Sequence, residues 1–225
     1  MATLFLFRHL KSQWNLENRF SGWVDMPLAK NQSKKAKEIA KKIFRFKIDT
    51  IYSSPLFRNM HSVALILESI GKKYPIFIHL DKGKMKEWGS FKEINKNYIP
   101  VYISEKLNER YYGKLQGLNK KEMMKKYGFE KVRVWRRSFE IAPPGGESLK
   151  EVIKRTTPFY KNYIEKDLKR GKNVLVVASH NPLRALIKYI EKISNEGIIN
   201  VEVPFAGLIK YELDKSLKIK KKKTL

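Results

Sequence analysis

Residues 4–9 read Leu4-Phe5-Leu6-Phe7-Arg8-His9, so that an apolar run ends directly at a cation and an imidazole. The same pattern returns late in the chain, where the apolar run 173–178 is followed by Ser179 and His180. Short, continuous apolar runs are typical of buried strands in parallel sheets. Because ligands bind at the carboxyl ends of such strands, we expect His9 and His180 to converge on one substrate. This arrangement suits phosphoryl transfer through a phosphohistidine.

The apolar pattern alternates between strands and helices along most of the chain. Segments 3–8, 49–54, 101–104, 173–178 and 207–213 indicate strands. The predicted helices lie, in chain order, over 36–44, after Ser54-Pro55, after the capping box Ser148-Leu149-Lys150-Glu151 with a bend at Pro158, and over 183–190. The alternation predicts an α/β fold with helices on both faces of the sheet.

Two segments interrupt this pattern. Residues 72–98 contain two glycines and several lysines, and we expect an irregular excursion there, in the form of a hairpin. Residues 218–225 are strongly basic and are predicted to be a disordered tail. A chain of 225 residues can bury one full core, and no linker divides it. We therefore predict a single catalytic domain over 1–217, with the excursion inserted at about 72–98, followed by the basic tail.

The net charge of +26 is the outlier of the composition. It indicates attraction for anions, which include phosphorylated metabolites, nucleic acids and acidic lipid surfaces. A lysine-rich composition is also typical of genomes with biased codon use. No base-reading motif accompanies the charge, which disfavours nucleic-acid binding as the main role.

Cysteine is absent, which excludes disulfides, cysteine-based metal sites and a thiol nucleophile, and four histidines leave little room for a histidine-rich metal site. The first residues lack the basic region of a signal peptide, and no apolar run approaches the length of about 20 residues that spans a bilayer. We expect a soluble, cytoplasmic protein with no membrane association.

Several motifs carry groups that can hold phosphate oxygens. The segment 8–15 combines His9 with Arg8, Ser12 and Asn15, and it is followed by Phe20-Ser21-Gly22-Trp23. Further motifs are Ser53-Ser54-Pro55-Leu56-Phe57-Arg58, Leu107-Asn108-Glu109-Arg110-Tyr111-Tyr112-Gly113, Trp135-Arg136-Arg137-Ser138 and Pro143-Pro144-Gly145-Gly146-Glu147-Ser148. Together they resemble the cofactor-dependent phosphoglycerate mutases of the histidine phosphatase superfamily, over nearly the whole chain.

This resemblance implies a three-layer α/β/α sandwich around a mostly parallel sheet. It implies that His9 carries the phosphate, that Glu109 donates and accepts the proton, and that His180 stabilises the transferring phosphoryl group, with Arg8 and Arg58 beside them. The remaining matches to the family's substrate contacts are Ser12, Asn15, Ser21, Gly22, Arg110, Tyr111, Tyr112, Lys120, Arg136, Arg137 and Asn181. A metal is not implied, because cations rather than carboxylate clusters neutralise the substrate.

The chain departs from the family pattern close to both histidines. Leu10 and Lys11 replace a glycine and an acidic residue after His9, and the turn after His180 is one residue shorter, reading Asn181-Pro182. Phe205-Ala206-Gly207 replaces a Thr-Gly pair. Glycine permits a close approach of backbone to phosphate, so these changes could reshape the site. If Leu10 turns its side chain into the core or toward Trp14, the site is preserved. If Leu10 and the shortened Asn181-Pro182 turn intrude on the phosphate position, the protein is a weak phosphatase or a binding relative.

The predicted function is the interconversion of 3-phosphoglycerate and 2-phosphoglycerate in glycolysis and gluconeogenesis, primed by 2,3-bisphosphoglycerate. The expected partners are these phosphorylated metabolites, and a homo-oligomer is compatible with the sequence. A phosphatase of the same superfamily and a catalytically weakened, phosphate-binding relative remain as alternatives. Lys120, Arg136 and Arg137 favour the mutase, because they can retain a second anionic end of the substrate.

Overall fold

The computed structural model describes residues 1–71, 73–91 and 93–225. Its strands are β1 (Ala2–Arg8), β2 (Thr50–Ser53), β3 (Tyr74–His79), β4 (Tyr98–Ile103), β5 (Val174–Ala178), β6 (Leu208–Leu213) and β7 (Ile219–Thr224). Its α-helices are α1 (Gln13–Leu16), α2 (Ser33–Ile43), α3 (Phe57–Glu68), α4 (Lys84–Trp88), α5 (Lys120–Tyr127), α6 (Phe129–Arg137), α7 (Leu149–Phe159), α8 (Glu165–Lys169) and α9 (His180–Glu191).

The strands form one sheet in the order β3-β4-β2-β5-β1-β6-β7. The first five of these strands are parallel, whereas β6 is antiparallel to both of its neighbours. In the parallel pair β1 and β5, Arg8 lies opposite Ala178. The two strand ends that the sequence singled out are therefore adjacent, and His9 and His180 leave the same edge of the sheet.

Alternation along β1 divides the core into two layers. Leu4 and Leu6 pack with the cluster under α7, α8 and α9, and Phe5 and Phe7 pack with the cluster under α2 and α3. Side chains of successive strand residues point to opposite faces, so an all-apolar strand contributes to both clusters. The predicted three-layer α/β/α sandwich is confirmed.

The helix expected after the capping box at Ser148 is also present. The Ser148 hydroxyl accepts a hydrogen bond from the backbone N–H of Glu151, whose carboxylate accepts one from the Ser148 N–H in return. Pro158 lies within α7, and a π-helical turn, Tyr160–Ile164, follows it. Proline has no N–H to donate within the helix, which accounts for an irregular turn at this place.

Two expectations about irregular segments are wrong. The excursion 72–98, of which residues 72 and 92 lie outside the described part, does not form a hairpin: β3 joins the sheet parallel to β4, and α4 follows it. The tail 218–225 is not disordered, because β7 pairs with β6 and forms the last strand of the sheet. Main-chain hydrogen bonds to β6 hold this lysine-rich strand, and lysines are common on edge strands because they discourage further pairing. We propose that residues 1–225 form one domain.

No helix in the described parts of the chain is long and apolar enough to cross a membrane.

Candidate active site

The site lies at the carboxyl edge of the parallel strands. His9 follows β1, and its backbone N–H donates to the carbonyl of Ala178 at the end of β5. His180 begins α9 directly after β5, and Arg58 lies in the first turn of α3, which follows β2. Glu109 comes from the segment after β4. Residues separated by up to 171 positions thus meet because parallel strands end at one edge.

His9 is buried and has one ring nitrogen fixed by the backbone. Its Nδ1 lies 2.6 Å from the carbonyl oxygen of Leu10, and a carbonyl can only accept. The neutral ring therefore carries its proton on Nδ1 and leaves a lone pair on Nε2. Burial, together with the charges of Arg58 and Arg8, holds the pKa of His9 well below its usual value. The His9 ring is therefore neutral at neutral pH.

Leu10 turns away from the site. Its side chain is fully buried in the core cluster under α2 and α3, and its backbone N–H donates to Ser62 Oγ at 3.0 Å. The Ser62 hydroxyl in turn donates to the carbonyl of Arg58. The side chain does not intrude on the phosphate position, and the main chain of Leu10 links His9 to the helix that carries Arg58.

Two arginines flank His9. The Arg58 guanidinium donates to the carbonyls of Gly22 at 2.7 Å and Val24 at 3.0 Å, which ties α3 to the loop after α1. The guanidinium of Arg8 lies 3.7 Å from the centroid of the Phe205 ring and donates to the carbonyl of Val203. Burial lowers the pKa of Arg8 to about 10, so it remains a cation at neutral pH.

Glu109 is buried at the amino terminus of α9. Its Oε1 accepts hydrogen bonds from the Arg110 N–H and Asn181 Nδ2, both at 2.7 Å, and from the Asn181 N–H, while its Oε2 accepts from the His180 N–H at 3.1 Å. Burial raises the pKa of Glu109, but the charge of His180 and these donors outweigh it, so that the pKa is lowered. The carboxylate is held ionised, as a proton acceptor must be.

His180 is bonded to a carboxylate that the motifs did not include. Its Nε2 lies 3.0 Å from Oε2 of Glu202, and the other oxygen of Glu202 contacts the guanidinium of Arg137. Burial lowers the pKa of His180, against the opposing effect of the bond to Glu202. The bond to His180 and the charge of Arg137 lower the pKa of Glu202 to about 2, although burial opposes this shift.

These groups surround a cavity of about 290 Å³. The predicted site residues that line it are Arg8, His9, Asn15, Ser21, Gly22, Arg58, Glu109, Tyr112, Lys120, Arg136, Arg137 and His180. Six arginine and lysine side chains face two carboxylates in this wall, so the cavity is strongly cationic. It suits a small ligand with more than one anionic group.

Four predicted contact residues do not line the cavity. Ser12 is buried beneath it, and Tyr111, which is exposed, holds Glu147 through its main chain. Arg110 is buried and donates to the carbonyls of Trp135 and Arg136 at the end of α6. Asn181 contacts Glu109 rather than the cavity. We propose that Arg110 and Asn181 position neighbouring groups of the site, and the direct ligand contacts of these four residues stay predictions.

Five lining residues were missed: Asn18, Arg19, Phe20, Glu202 and Phe205. Phe20 and Phe205 lie in the segments Phe20-Ser21-Gly22-Trp23 and Phe205-Ala206-Gly207, but an apolar ring does not by itself indicate a contact with an anionic substrate. Glu202 stands two residues before Pro204, and an acidic residue is unexpected in an anion site. The nearest sequence signal was the Phe205-Ala206-Gly207 segment three residues later, which alone does not reveal contacts to α6 and α9.

Within the described residues, no group of three or more His, Asp or Glu side chains is arranged to hold a metal ion. The absence of a metal requirement remains a prediction about activity.

Comparison with known proteins places this geometry in a family. A family model described as histidine phosphatase superfamily (branch 1) matches residues 4–95 and 89–222. The chain belongs to the histidine phosphatase superfamily. Solved structures of similar fold include YhfR of Bacillus stearothermophilus, with a TM-score of 0.75 at 20% identity over 98% of this chain and 96% of that one. A mycobacterial glucosyl-3-phosphoglycerate phosphatase has a TM-score of 0.73 at 20% identity over 94% and 93%. These likenesses show the fold alone.

Sequence relatives show to which family of the histidine phosphatase superfamily the chain belongs. It is 46% identical to the 2,3-bisphosphoglycerate-dependent phosphoglycerate mutase of Methanococcus vannielii, over 95% of this chain and 92% of the relative. Proteins of the same name from Protochlamydia amoebophila and Chlamydia caviae are 39% and 42% identical, over 99% and 94% of this chain and 100% and 93% of theirs. The chain is thus a member of the phosphoglycerate mutase family, and the resemblance drawn from its motifs is confirmed.

Proposed function

We propose that this protein interconverts 3-phosphoglycerate and 2-phosphoglycerate through a phosphate carried on His9 Nε2, and that 2,3-bisphosphoglycerate primes it. The observation that carries the proposal is the free Nε2 of a buried, neutral His9 in a cavity that also holds Glu109 and six cations. The names of the relatives at 39–46% identity support the choice of substrate and primer.

The residues divide the reaction between them. On the phosphorylated enzyme, Glu109 removes the proton of the accepting hydroxyl as that oxygen bonds to phosphorus and the bond from phosphorus to His9 Nε2 breaks. In the second step His9 Nε2 bonds to the phosphorus at the other position as the bond from phosphorus to the departing oxygen breaks, and Glu109 returns the same proton to that oxygen. Arg8 and Arg58 balance the charge of the phosphoryl oxygens during both steps. When bound, the primer supplies the phosphoryl group that first charges His9.

Retention of the intermediate distinguishes a mutase from a phosphatase. The substrate must stay bound while its free hydroxyl takes the place of the phosphorylated one, so its second anionic end needs cations of its own. Lys120, Arg136 and Arg137 lie in the cavity wall for this purpose, in addition to the pair beside His9. Because each charged hydrogen bond contributes roughly 1.5–3 kcal/mol, three of them suffice to hold that end. The phosphatase alternative requires only the groups around His9.

The weakened-relative alternative depended on Leu10 and on the shortened Asn181-Pro182 turn. The Leu10 side chain is in the core, and the hydrogen bonds of its main chain help to hold His9 and Arg58 in place. Neither Asn181 nor Pro182 lines the cavity. This placement supports an active enzyme. Three points remain predictions: that the protein is cytoplasmic, that a homo-oligomer is possible, and that nucleic-acid binding is not its main role.

A coupled assay for 2-phosphoglycerate formation, run with and without 2,3-bisphosphoglycerate, tests the function. We expect turnover that rises with the primer and persists in a chelator. Intact-mass measurement after incubation with the primer should show one phosphate on the parent and on His79→Ala, a control residue that does not line the cavity, and none on His9→Ala. Hydrolysis of the primer without isomerisation would favour the phosphatase, and equal phosphate uptake by His9→Ala would refute the nucleophile.

A further inference from the structure

Glu202 is an anion in a cavity built for anions. Its side chain is 52% exposed, and its carboxylate bridges two groups of the cavity wall, His180 on α9 and Arg137 at the end of α6. It lies between a 3₁₀ turn, Gly197–Asn200, and Pro204. The neighbouring carbonyl of Val203 accepts a hydrogen bond from Arg8, which keeps the main chain beside the site.

The carboxylate occupies donors that a ligand phosphate or carboxylate would need. Because a carboxylate only accepts, the Nε2 facing Glu202 carries a hydrogen, and this N–H is one of the groups able to donate to a phosphoryl oxygen. The Arg137 guanidinium is likewise engaged. An incoming anion that takes these donors has to replace the bonds they already make.

The side chain is free to leave. About half of its surface is open to solvent, whereas Glu109, the other carboxylate of the cavity, is buried and receives four N–H donors. Glu202 receives bonds only from the two side chains described above, and none from the main chain, within the described residues. A solvated glutamate is ionised at neutral pH, so Glu202 keeps its charge as it moves into solvent.

We propose that Glu202 is a displaceable internal anion, which holds Arg137 and His180 in the empty site and yields them to the anionic group of the phosphorylated ligand. Glu202 sets ligand affinity by competition. The free energy of binding is the free energy of the ligand's bonds to Arg137 and His180 minus that of the bonds that Glu202 already makes to them. Glu202 thereby lowers affinity for every anion that reaches these two donors and speeds release of product. The identity of the natural ligand rests on the function proposed above, whereas the competition itself does not.

The test measures binding of inorganic phosphate and of 3-phosphoglycerate by calorimetry in the parent, Glu202→Gln, Glu202→Ala and Glu38→Gln. Glu38 is an exposed carboxylate on α2 that pairs with Lys35 and does not line the cavity, so its variant reports the effect of one lost charge elsewhere. Both Glu202 variants should bind each anion about tenfold more tightly, as expected for the loss of two partly exposed ion pairs, and Glu38→Gln should bind as the parent does.

Two further readouts separate displacement from a fixed structural role. In the mutase assay, Glu202→Gln should lower KM with a kcat equal to or below that of the parent, because product leaves more slowly. In nuclear magnetic resonance titrations without ligand, the pKa of His180 should be lower in Glu202→Gln than in the parent, since the bond from Glu202 raises it. Saturating phosphate should reduce the difference in His180 pKa between the parent and Glu202→Gln, because it displaces Glu202 in the parent.

Unchanged or weaker phosphate binding in both Glu202 variants, with folding verified by thermal unfolding, would overturn the proposal and make Glu202 a fixed support for His180. Tighter phosphate binding in a protein that lacks mutase activity would uphold the competition and reject the proposed function. Mutase activity in the parent, without tighter phosphate binding in the Glu202 variants, would uphold the proposed function and reject the competition.

Discussion

Replacement of Glu109 by glutamine is a sharp test of the site, because the substitution keeps the shape of the side chain and removes its charge. Three donors converge on Oε1, namely the Arg110 N–H and the N–H and Nδ2 of Asn181, and the His180 N–H reaches Oε2. The amide oxygen of glutamine is expected to stay with the three donors. Its NH2 group then faces the His180 N–H, donor against donor.

The cost follows from these contacts. Leaving buried donors unpaired costs about 1–3 kcal/mol, and loss of a negative charge at the amino terminus of α9 costs about 0.3–1 kcal/mol more. We therefore expect the free energy of unfolding to fall by about 1–4 kcal/mol, which still leaves a protein of ordinary stability, 5–15 kcal/mol, folded. Loss of proton transfer should lower turnover by about 10²-fold or more.

Urea unfolding followed by circular dichroism measures the first effect, and the coupled mutase assay, normalised to folded protein, measures the second. Asp167→Asn is the matched control, because Asp167 is a buried carboxylate that accepts bonds from Tyr52 and Lys172 and does not line the cavity. It should lose stability and keep its turnover. Turnover of Glu109→Gln within about threefold of the parent would refute the acid and base role, and unchanged stability would refute the hydrogen bonding described for the carboxylate.

Three further outcomes are expected. Leu10→Ala should cost about 2–5 kcal/mol in urea unfolding, because it empties a fully buried position, with turnover per folded molecule within about threefold of the parent; a large gain in activity would contradict the core placement. Gly22→Ala should raise KM and destabilise more than Gly171→Ala, since both have positive φ but only at Gly22 would a Cβ overlap the Gln116 side chain; equal effects would exclude steric overlap. Burial, with Arg136 and Arg8, lowers the pKa of Lys120 to about 8, so the empty site loses a positive charge as pH rises through 8 and phosphate binding should weaken there. Calorimetry should show a smaller loss of phosphate affinity above pH 8 in Lys120→Arg than in the parent. Identical pH profiles of the two proteins would assign the titration to another group.

The parallel edge of the sheet was predictable because local pattern and topology agree there. Apolar runs that end at Arg8-His9 and Ser179-His180 are visible in the sequence, and parallel strands bring their carboxyl ends together wherever they lie in the chain. The edges of the sheet were harder to predict. Strand β3 contains the apolar run Ile76-Phe77-Ile78, but Pro75 precedes this run, and proline is typical of edge strands or of segments outside a sheet. Strand β7 is a run of lysines and carries no apolar signal of a buried strand.

Within the site, the chain itself determined which chemical groups are available: imidazoles at two strand ends, an excess of cations, a carboxylate and no thiol. Motifs with this composition can be recognised because each is local. Only the tertiary structure decided that the His9 proton lies on Nδ1, that Leu10 faces the core, and that Arg110 and Asn181 lie outside the cavity wall. It also brought Glu202 to Arg137 and His180, a meeting of three separate segments whose distances depend on how α6 and α9 pack, which no local pattern encodes.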